Sequence, residues 1–328
     1  FQTLNWQSLR CEIIQSQLKE STLLIVSIYY NKKIIGILHF EKKKKFNIKI
    51  LNLTGYPFAD YCDCLLDMNF LKSKNNIKIE IKKFIFNLKD IDLLIFDKIN
   101  RESHFYFLFD NHKFDRKVYS SYHILKSNNQ NDPIPKKFNS DTNRQIKRLN
   151  LLGKLSFKIA TDIPEKEKIF EFFCKHKQNQ LINSKSWNYL NNKTYKNFLQ
   201  KLFISNDSHL SYLVLDDKII SAHLGYIIGK KLFYLFPCYD REYSKFSPGN
   251  ILLIKLIENF FKNDGQILDF TIGNEDYKLR LSNTINEIFY KNIGLTISGK
   301  ILKIFYKILN KLRTIKLLKL IYKKIKYS

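Results

Sequence analysis

The sequence has no apolar run long enough to cross a bilayer. Among its 328 residues the longest uncharged apolar run is Thr22–Tyr30, whereas a transmembrane helix needs about 20 residues. The N-terminus also lacks a charged and then apolar leader that ends at small residues. These absences predict a protein that stays in the cytoplasm.

The motifs of several enzyme classes are also missing. There is no Gly-x-Ser-x-Gly, no Gly-x-x-x-x-Gly-Lys-Ser/Thr, no Gly-x-Gly-x-x-Gly and no His-Glu-x-x-His, so esterase, P-loop, dinucleotide-binding and zincin mechanisms lack support. The Cys62-Asp63-Cys64 pair has no second Cys or His pair nearby that would complete four zinc ligands. We therefore expect no metal, and free thiols in a reducing compartment.

Negative charge is scarce, since the formal net charge is +26. Such a charge ordinarily indicates a nucleic-acid or anionic-membrane partner. However, the lysines are dispersed and rise together with asparagine and isoleucine, and all three residues have A/T-rich codons. Nucleic acid is the least favoured partner, because neither a ribonucleoprotein signature nor helix-turn-helix spacing is present.

No acidic residue follows Glu287, and lysines recur there at helical spacing from Lys303 to Lys326. Apolar residues from Ile301 to Ile325 occupy the opposite face. This pattern predicts a basic amphipathic helical tail over 296–328. Its apolar side suits either an anionic membrane surface, contacted through residues 301–328, or the body of the protein, and the sequence leaves both open.

The second half of the chain contains a recognisable helix start. Apolar runs Ile219–Ile228 and Leu232–Phe236 predict two strands, and the charged segment Tyr239–Lys245 predicts a loop. Ser247-Pro248-Gly249 follows, with Ser247 suited to the N-cap and Pro248 to the first helical position. The free N–H groups and the dipole of such a helix hold phosphates, so a nucleotide or CoA pyrophosphate site is expected here.

Several short sequence motifs in this half resemble those of the CelD/BcsL family. They are Ala222-His223, Phe236-Pro237, Tyr239-Asp240, Ser247-Pro248-Gly249, Asp269, Gly273, Glu275 and Tyr277-Lys278. Weaker words, including Trp6 and Gly55, fall in the family's order nearer the N-terminus. That family is described as GNAT-type acyltransferases associated with cellulose and other exopolysaccharide synthesis. The resemblance implies acetyl-CoA or another acyl-CoA as the donor, and a sugar or lipid-linked saccharide as the acceptor.

The expected fold is α/β, with tandem GNAT-like domains whose mixed sheets are flanked by helices. Residues 23–39 and 210–223 share the order strand, polar turn, Lys-Ile-Ile-small and strand, which indicates an internal duplication. The polar, proline-containing segment Lys126–Ser140 predicts a boundary. We expect an N-terminal domain over 1–130 that is structural or acceptor-binding, a linker over 131–140 and the transferase domain over 141–295.

Acyl transfer requires a base for the acceptor, donors for the oxyanion and an acid for the thiolate. The candidate catalytic residues are His223, Asp269, Glu275 and Tyr277; the candidate cofactor-binding residues are Ser247, Pro248, Gly249, Asn250 and Lys278; Tyr239, Asp240 and Gly273 are accessory. His223 is the first choice of base, with a core histidine as the competing explanation. Asp269 or Glu275 orients it or acts as base, and Tyr277 protonates the thiolate unless it is only a packed aromatic.

Two alternatives remain open at this point. One is FemAB-type transfer from aminoacyl-tRNA, for which the basic surface has a direct use. The other is a non-catalytic, membrane-associated scaffold for polysaccharide synthesis, motivated by Thr271 and Asn274, where the family tends to show glycine and an acid.

Overall fold

A computed structural model describes residues 4–17, 21–55, 59–109, 116–126, 134–184 and 186–312. The chain forms two compact units, Phe1–Val118 with Glu287–Ser328 (unit 1) and Tyr119–Asn286 (unit 2). Each unit combines a mixed sheet with flanking helices, so the expected α/β class is confirmed.

Unit 1 is built on a mixed sheet. Its elements are α1 (Leu4–Gln17), β1 (Ser21–Tyr30), β2 (Lys33–Lys45), β3 (Ile48–Leu53), β4 (Leu65–Leu66), α2 (Met68–Ser73), α3 (Asn75–Phe86), β5 (Leu93–Asn100) and α4 (His104–Phe109). The end of the chain adds β12 (Thr284–Gly294) and α10 (Ile297–Leu312). The strand order is β1–β2–β3–β5–β12, with β4 beside β2.

The strands of unit 2 also pair in both parallel and antiparallel directions. Its elements are β6 (Arg116–Leu125), α5 (Lys136–Asn150), β7 (Leu155–Ile159), α6 (Ile163–Asn183), α7 (Lys193–Ile204), β8 (Ser208–Leu215), β9 (Lys218–Ile228), β10 (Lys231–Tyr239), α8 (Pro248–Lys262), β11 (Ile267–Ile272) and α9 (Asp276–Leu281). The strand order is β6–β11–β10–β9–β8–β7. Short 3₁₀ helices span Tyr189–Asn191 and Arg241–Phe246. The segment Tyr239–Lys245, expected to be a loop, is therefore partly helical.

Helix α8 anchors the core of unit 2. Its apolar residues recur at helical spacing, and Leu253, Ile257 and Phe260 pack in one buried cluster with Leu232 of β10 and Phe270 of β11. This apolar stripe faces the sheet, and the start of α8 lies beside the carboxyl end of β10, where Tyr239 is next to Gly249.

The two units share a chain order. In each, three antiparallel strands (β1–β2–β3 and β8–β9–β10) lead through helical segments to a strand that pairs in parallel with the third, β5 with β3 and β11 with β10. Both parallel strands also carry a bulge with a left-handed residue, Lys98 at φ 59° and Thr271 at φ 58°. This correspondence agrees with the internal duplication that the hairpin sequences indicate.

The polar segment between the halves is only partly described. Residues 127–133 lie outside the described part, and α5 begins at Lys136, so the end of the expected linker is helical. Phe138 explains this difference, because its side chain is buried in the core cluster of α8. The domain boundaries at 131–140 stay a prediction.

Helix α10 bears on the predicted tail. Leu302 is buried and Tyr306 packs beside it, against Ile50 and Leu93 of the unit 1 sheet. Other apolar side chains of the helix are exposed, namely Ile297, Ile301, Ile304, Phe305 and Ile308. One side of α10 thus packs on the protein, while residues 313–328 lie outside the described part. Among the helices that are described, none is both long and apolar enough to cross a membrane.

Candidate functional site

Strands β10 and β11 separate after a short parallel contact. They pair from Lys231 opposite Ile267 to Phe233 opposite Asp269. Beyond that pair β10 continues to Tyr239 against β9, and β11 continues to Ile272 against β6. We call the gap between their carboxyl ends the fork. Strands that diverge in this way present backbone groups to which an extended ligand can bind.

The start of α8 lies at the end of the loop that leaves β10. Pro248 occupies the first helical position, as expected, and Ser247 occupies the cap position. However, Ser247 has a left-handed backbone with φ 52° and makes no side-chain cap hydrogen bond, so the expected hydroxyl cap is wrong. A cap side chain reaches the helix N–H groups from an extended backbone, which this residue lacks. The Ser247 hydroxyl therefore occupies none of the first N–H groups of α8, although the Ser247 carbonyl accepts from Asn250 and Ile251.

Gly249 leaves space at this helix start. A Cβ added there would meet only the Tyr239 ring, at 3.6 Å, which is ordinary contact. Asn250, the next residue, is half-buried, and its N–H donates to the Ser247 carbonyl at 3.0 Å. The predicted cofactor-binding residues 247–250 and the accessory Tyr239 thus lie together.

Asp240 organises the turn that precedes α8. Its carboxylate accepts from the Glu242 N–H at 3.1 Å and pairs with Lys218 at 3.1 Å, and it lies 3.9 Å from His176. Burial acts to raise the pKa of Asp240, but the Glu242 N–H and the Lys218 ammonium outweigh it and hold that pKa below its ordinary value. Asp240 is therefore an anionic support of the turn.

Asp269 lies where the fork begins, within β11 instead of at its end as expected. The buried carboxylate accepts the Thr271 N–H at 2.7 Å and pairs with the Lys231 ammonium at 2.7 Å. His123 of β6 lies opposite, with Nδ1 3.7 Å from the Asp269 carboxylate and Nε2 3.0 Å from the Ser121 hydroxyl. Sequence reasoning missed Ser121, His123 and Lys231.

No local signal links these three residues to Asp269. Ser121 and His123 are two apart on β6, which places them on one face of the strand. Only the antiparallel pairing of β6 with β11 brings that face to Asp269. The pairing joins segments more than 140 residues apart, as the positions of His123 and Asp269 show.

His223 is on the expected strand, but its side chain is fully buried. The ring stacks on Tyr234 with centroids 4.3 Å apart, and Nδ1 lies 3.5 Å from the Ser211 hydroxyl. Burial, assisted by the nearby His209, holds the pKa of His223 well below its ordinary value. This placement favours the core-histidine explanation, and a role as base stays a prediction without geometric support.

The segment after β11 brings Gly273, Glu275 and Lys278 together. The Lys278 ammonium is buried, donates to the Ile272 carbonyl at 3.0 Å and pairs with Glu275 at 3.1 Å. A Cβ at Gly273 would collide with the ends of both side chains. A larger residue at position 273 would therefore require the Glu275–Lys278 pair to shift.

Tyr277 packs among aromatic rings. Its centroid lies 5.8 Å from that of Phe270 and 6.4 Å from that of Tyr234. Burial, with the Glu275 carboxylate, raises the pKa of the Tyr277 phenol well above its ordinary value. The hydroxyl therefore stays protonated at neutral pH, which suits a proton donor and also a packed aromatic.

A further lysine, not anticipated from the sequence, reaches the β10 side of the fork. Lys177 of α6 donates from Nζ to the Pro237 carbonyl at 3.1 Å. Burial lowers its pKa, and Glu275 and Lys278 lie close enough to affect that pKa as well. In the part of the chain that is described, no group of three His, Cys, Asp or Glu side chains is placed to hold a metal.

Most of unit 2, including the fork, is similar in sequence to a known domain family. Residues 136–279 match a family model described as an acetyltransferase (GNAT) domain. Most of unit 2 is therefore similar to a GNAT acetyltransferase domain. The match includes the fork, the start of α8 and the segment up to Lys278, and it supports an acyltransferase enzyme. The narrower CelD/BcsL resemblance stays a prediction.

Solved structures show the same fold over most of the chain. FemX has a TM-score of 0.61 at 11% identity, covering 92% of this chain and 93% of that one. The C-terminal domain of a putative lysylphosphatidylglycerol synthetase from Agrobacterium fabrum has a TM-score of 0.56 at 8% identity, covering 92% and 89%. L-PGS from Bacillus licheniformis has a TM-score of 0.53 at 11% identity, covering 85% and 87%. No curated protein sequence matches the chain.

Proposed function

We propose that this protein transfers an acyl group, in the first instance acetyl, from acyl-CoA to an amino or hydroxyl group of a sugar in exopolysaccharide or cell-envelope polysaccharide synthesis. The observation that carries the donor is the fork beside the uncapped start of α8. GNAT domains typically use acetyl-CoA, and the match over 136–279 includes both features. The saccharide acceptor rests on the CelD/BcsL resemblance.

The donor fits this site in two parts. The extended pantetheine arm enters the fork, where it pairs with backbone groups of β10 and β11. The pyrophosphate meets the start of α8 at the Gly249 N–H, with the helix dipole favouring its negative charge. Gly249 lets the phosphates approach, because it has no side chain that would occupy the space beside the first turn.

The His123–Asp269 pair suits the role of base. The acceptor nitrogen or oxygen attacks the thioester carbonyl carbon, and its proton passes to the pair, in which Asp269 stabilises the imidazolium that forms on His123. The carbon–sulfur bond then breaks, and the CoA thiolate takes its proton from Tyr277. His223 has no part in this scheme, because among the described residues its ring stacks on Tyr234 and contacts the Ser211 hydroxyl but has no carboxylate beside it.

Calorimetric titration of CoA and acetyl-CoA tests the donor. Wild-type protein is expected to bind both in the micromolar range, and Gly249→Glu is expected to abolish binding because a carboxylate at the helix start repels the pyrophosphate. The matched control is Asn76→Glu, which places the same charge in the exposed first turn of α3. No binding by wild type, or equal binding by both variants, would overturn the proposal.

Transfer from aminoacyl-tRNA is a second candidate. FemX is a structural neighbour at a TM-score of 0.61, and the net charge of +26 suits a polyanionic donor. Filter binding of aminoacylated tRNA over a salt series tests it. Nanomolar affinity with a steep salt dependence, in protein that does not bind CoA, would replace the acyl-CoA donor.

The proposed saccharide acceptor also implies where in the cell the enzyme acts. We place the enzyme in the cytoplasm, peripheral on the inner face of the membrane through residues 301–328, because Ile304 and Ile308 are exposed on a helix followed by lysines. Co-sedimentation with phosphatidylglycerol vesicles is expected, and Ile304→Glu with Ile308→Glu should weaken it. Equal sedimentation of this double variant would contradict the membrane contact.

A further inference from the structure

Two ammonium groups approach the fork of unit 2 from different elements. Lys177 comes from α6 and donates to the Pro237 carbonyl on the β10 side, at 3.1 Å. Lys278 comes from α9 and donates to the Ile272 carbonyl on the β11 side, at 3.0 Å. Both carbonyls lie beyond Phe233 and Asp269, the last residues at which the two strands pair. The lysines therefore mark the two sides of the fork.

The charges at this place do not balance. Lys278 pairs with Glu275 at 3.1 Å, and that carboxylate is 56% exposed. Asp269 is engaged by Lys231 at 2.7 Å. Cys238, which also lies near Lys177, stays a neutral thiol because burial raises its pKa to about 12. Two cations thus share one solvated anion in this part of the fork.

Lys177 also has donor capacity beyond its contact with Pro237. An ammonium carries three N–H donors, and among the described residues the contact at 3.1 Å uses one of them. Lys177 is half-buried, and the loss of solvation lowers its pKa because the nearby Glu275 does not fully compensate for it. A ligand anion beside Lys177 would supply both the missing charge and the missing acceptors.

We infer that the fork of unit 2 selects a reactant that carries a carboxylate, with Lys177 as the residue that recognises it. The inference deepens the proposed acyl transfer and rests on it. The carboxylate belongs either to the acyl group, as in succinyl-CoA, or to the acceptor, as in a uronic acid. In both cases it lies between Lys177 and Lys278, where it completes the charge balance.

Two titrations distinguish these sources. Acetyl-CoA and succinyl-CoA are titrated into wild type, and in parallel glucuronate and glucose are titrated into protein with and without saturating CoA. One carboxylate-bearing member is expected to bind about 10-fold or more tightly than its partner, as a charge-assisted contact implies. Lys177→Met should remove that preference and Lys177→Arg should retain part of it, while the exposed neighbour substitution Lys175→Met should leave it unchanged.

The outcomes separate this inference from the donor proposal. If CoA binds but neither pair shows a preference, or if Lys177→Met keeps the preference, the carboxylate inference is wrong and the acyl-CoA donor stands. If no CoA ligand binds and glucuronate alone is preferred through Lys177, the donor proposal fails while the carboxylate site stands. The absence of any binding would overturn both.

Discussion

The two units build the same fork and use it differently. In unit 1, β3 and β5 also pair in parallel, ending at Asn52 opposite Ile95. There the chain itself enters the gap, because the Cys62 N–H donates to the Lys98 carbonyl at 3.0 Å and the Lys98 ammonium donates to the Ala59 carbonyl at 2.7 Å. In unit 2 lysine side chains donate to a carbonyl on each strand of the fork, Lys177 to Pro237 and Lys278 to Ile272. The fork of unit 1 is thus filled by a segment of the chain itself, whereas the fork of unit 2 has a lysine ammonium on each side.

The lysines of the two forks have opposite electrostatic settings. Burial acts to lower the pKa of Lys98, but Asp60, Cys62 and Asp97 outweigh it and raise that pKa. Burial lowers the pKa of Lys177, and the neighbouring Glu275 does not compensate. A lysine with its own carboxylates is a structural cation, whereas one without them is suited to a ligand.

The bulges offer the sharpest test of this difference. Asp269→Asn is expected to lower turnover by about 10³-fold, because the neutral amide no longer stabilises the protonated His123, while affinity for CoA stays within about 2-fold. Release of CoA thiol from acetyl-CoA, with amino sugars such as glucosamine as acceptors, measures turnover.

Unit 1 supplies the matched control for that variant. The Lys98 N–H donates to Asp97 at 2.8 Å in its bulge, much as the Thr271 N–H donates to Asp269 at 2.7 Å. Asp97→Asn should therefore leave turnover unchanged. Equal losses in the two variants would mean that the bulges matter only for folding, and that the two forks do not differ in function.

Replacing the lysine at each fork tests whether the two lysines contribute differently to the stability of the protein. Lys98→Met should lower the free energy of unfolding by about 3 kcal/mol, since it strands Asp60 and the Ala59 carbonyl in a largely buried place. Lys177→Met should change it by less than about 1 kcal/mol, because no carboxylate depends on that ammonium alone. Urea unfolding midpoints measure both, and the reverse ranking would contradict the assignment of roles.

How much of the fold and of the candidate site the sequence predicts depends on how far apart in the chain the contacting residues lie. The strands around Ile219–Ile228, the helix at Pro248 and the Tyr277-Lys278 segment follow from periodicity and local turn chemistry, and the structure has them. The hydroxyl cap by Ser247 failed because a local rule assumes an extended backbone. The partners of Asp269 and Lys177 come from β6 and α6, so only the tertiary fold reveals them.

The smallest expected effect is a loss of stability at low pH, which depends on the buried histidines of each unit. Burial lowers the pKa of His39 in unit 1 to about 4 and that of His209 in unit 2 to about 4, and unit 2 also contains the more strongly lowered His223. The unfolded chain takes up these protons near pH 6.5, whereas the folded chain does not until about pH 4. Stability is therefore complete above pH 6.5 and falls as the pH drops, by at most about 1.4 kcal/mol per pH unit for each histidine.

Among the described residues, the histidines with a lowered pKa are His176, His209 and His223 in unit 2 and His39 in unit 1, so unit 2 should lose protection first. Hydrogen exchange at pH 7 and pH 5, corrected for intrinsic rates, is expected to show larger losses in β8 and β9 than in β2. His209→Gln should reduce the pH slope of unit 2 toward that of unit 1, because one proton uptake is removed while a neutral polar side chain remains. A slope unaffected by that substitution would mean that other groups set the acid sensitivity.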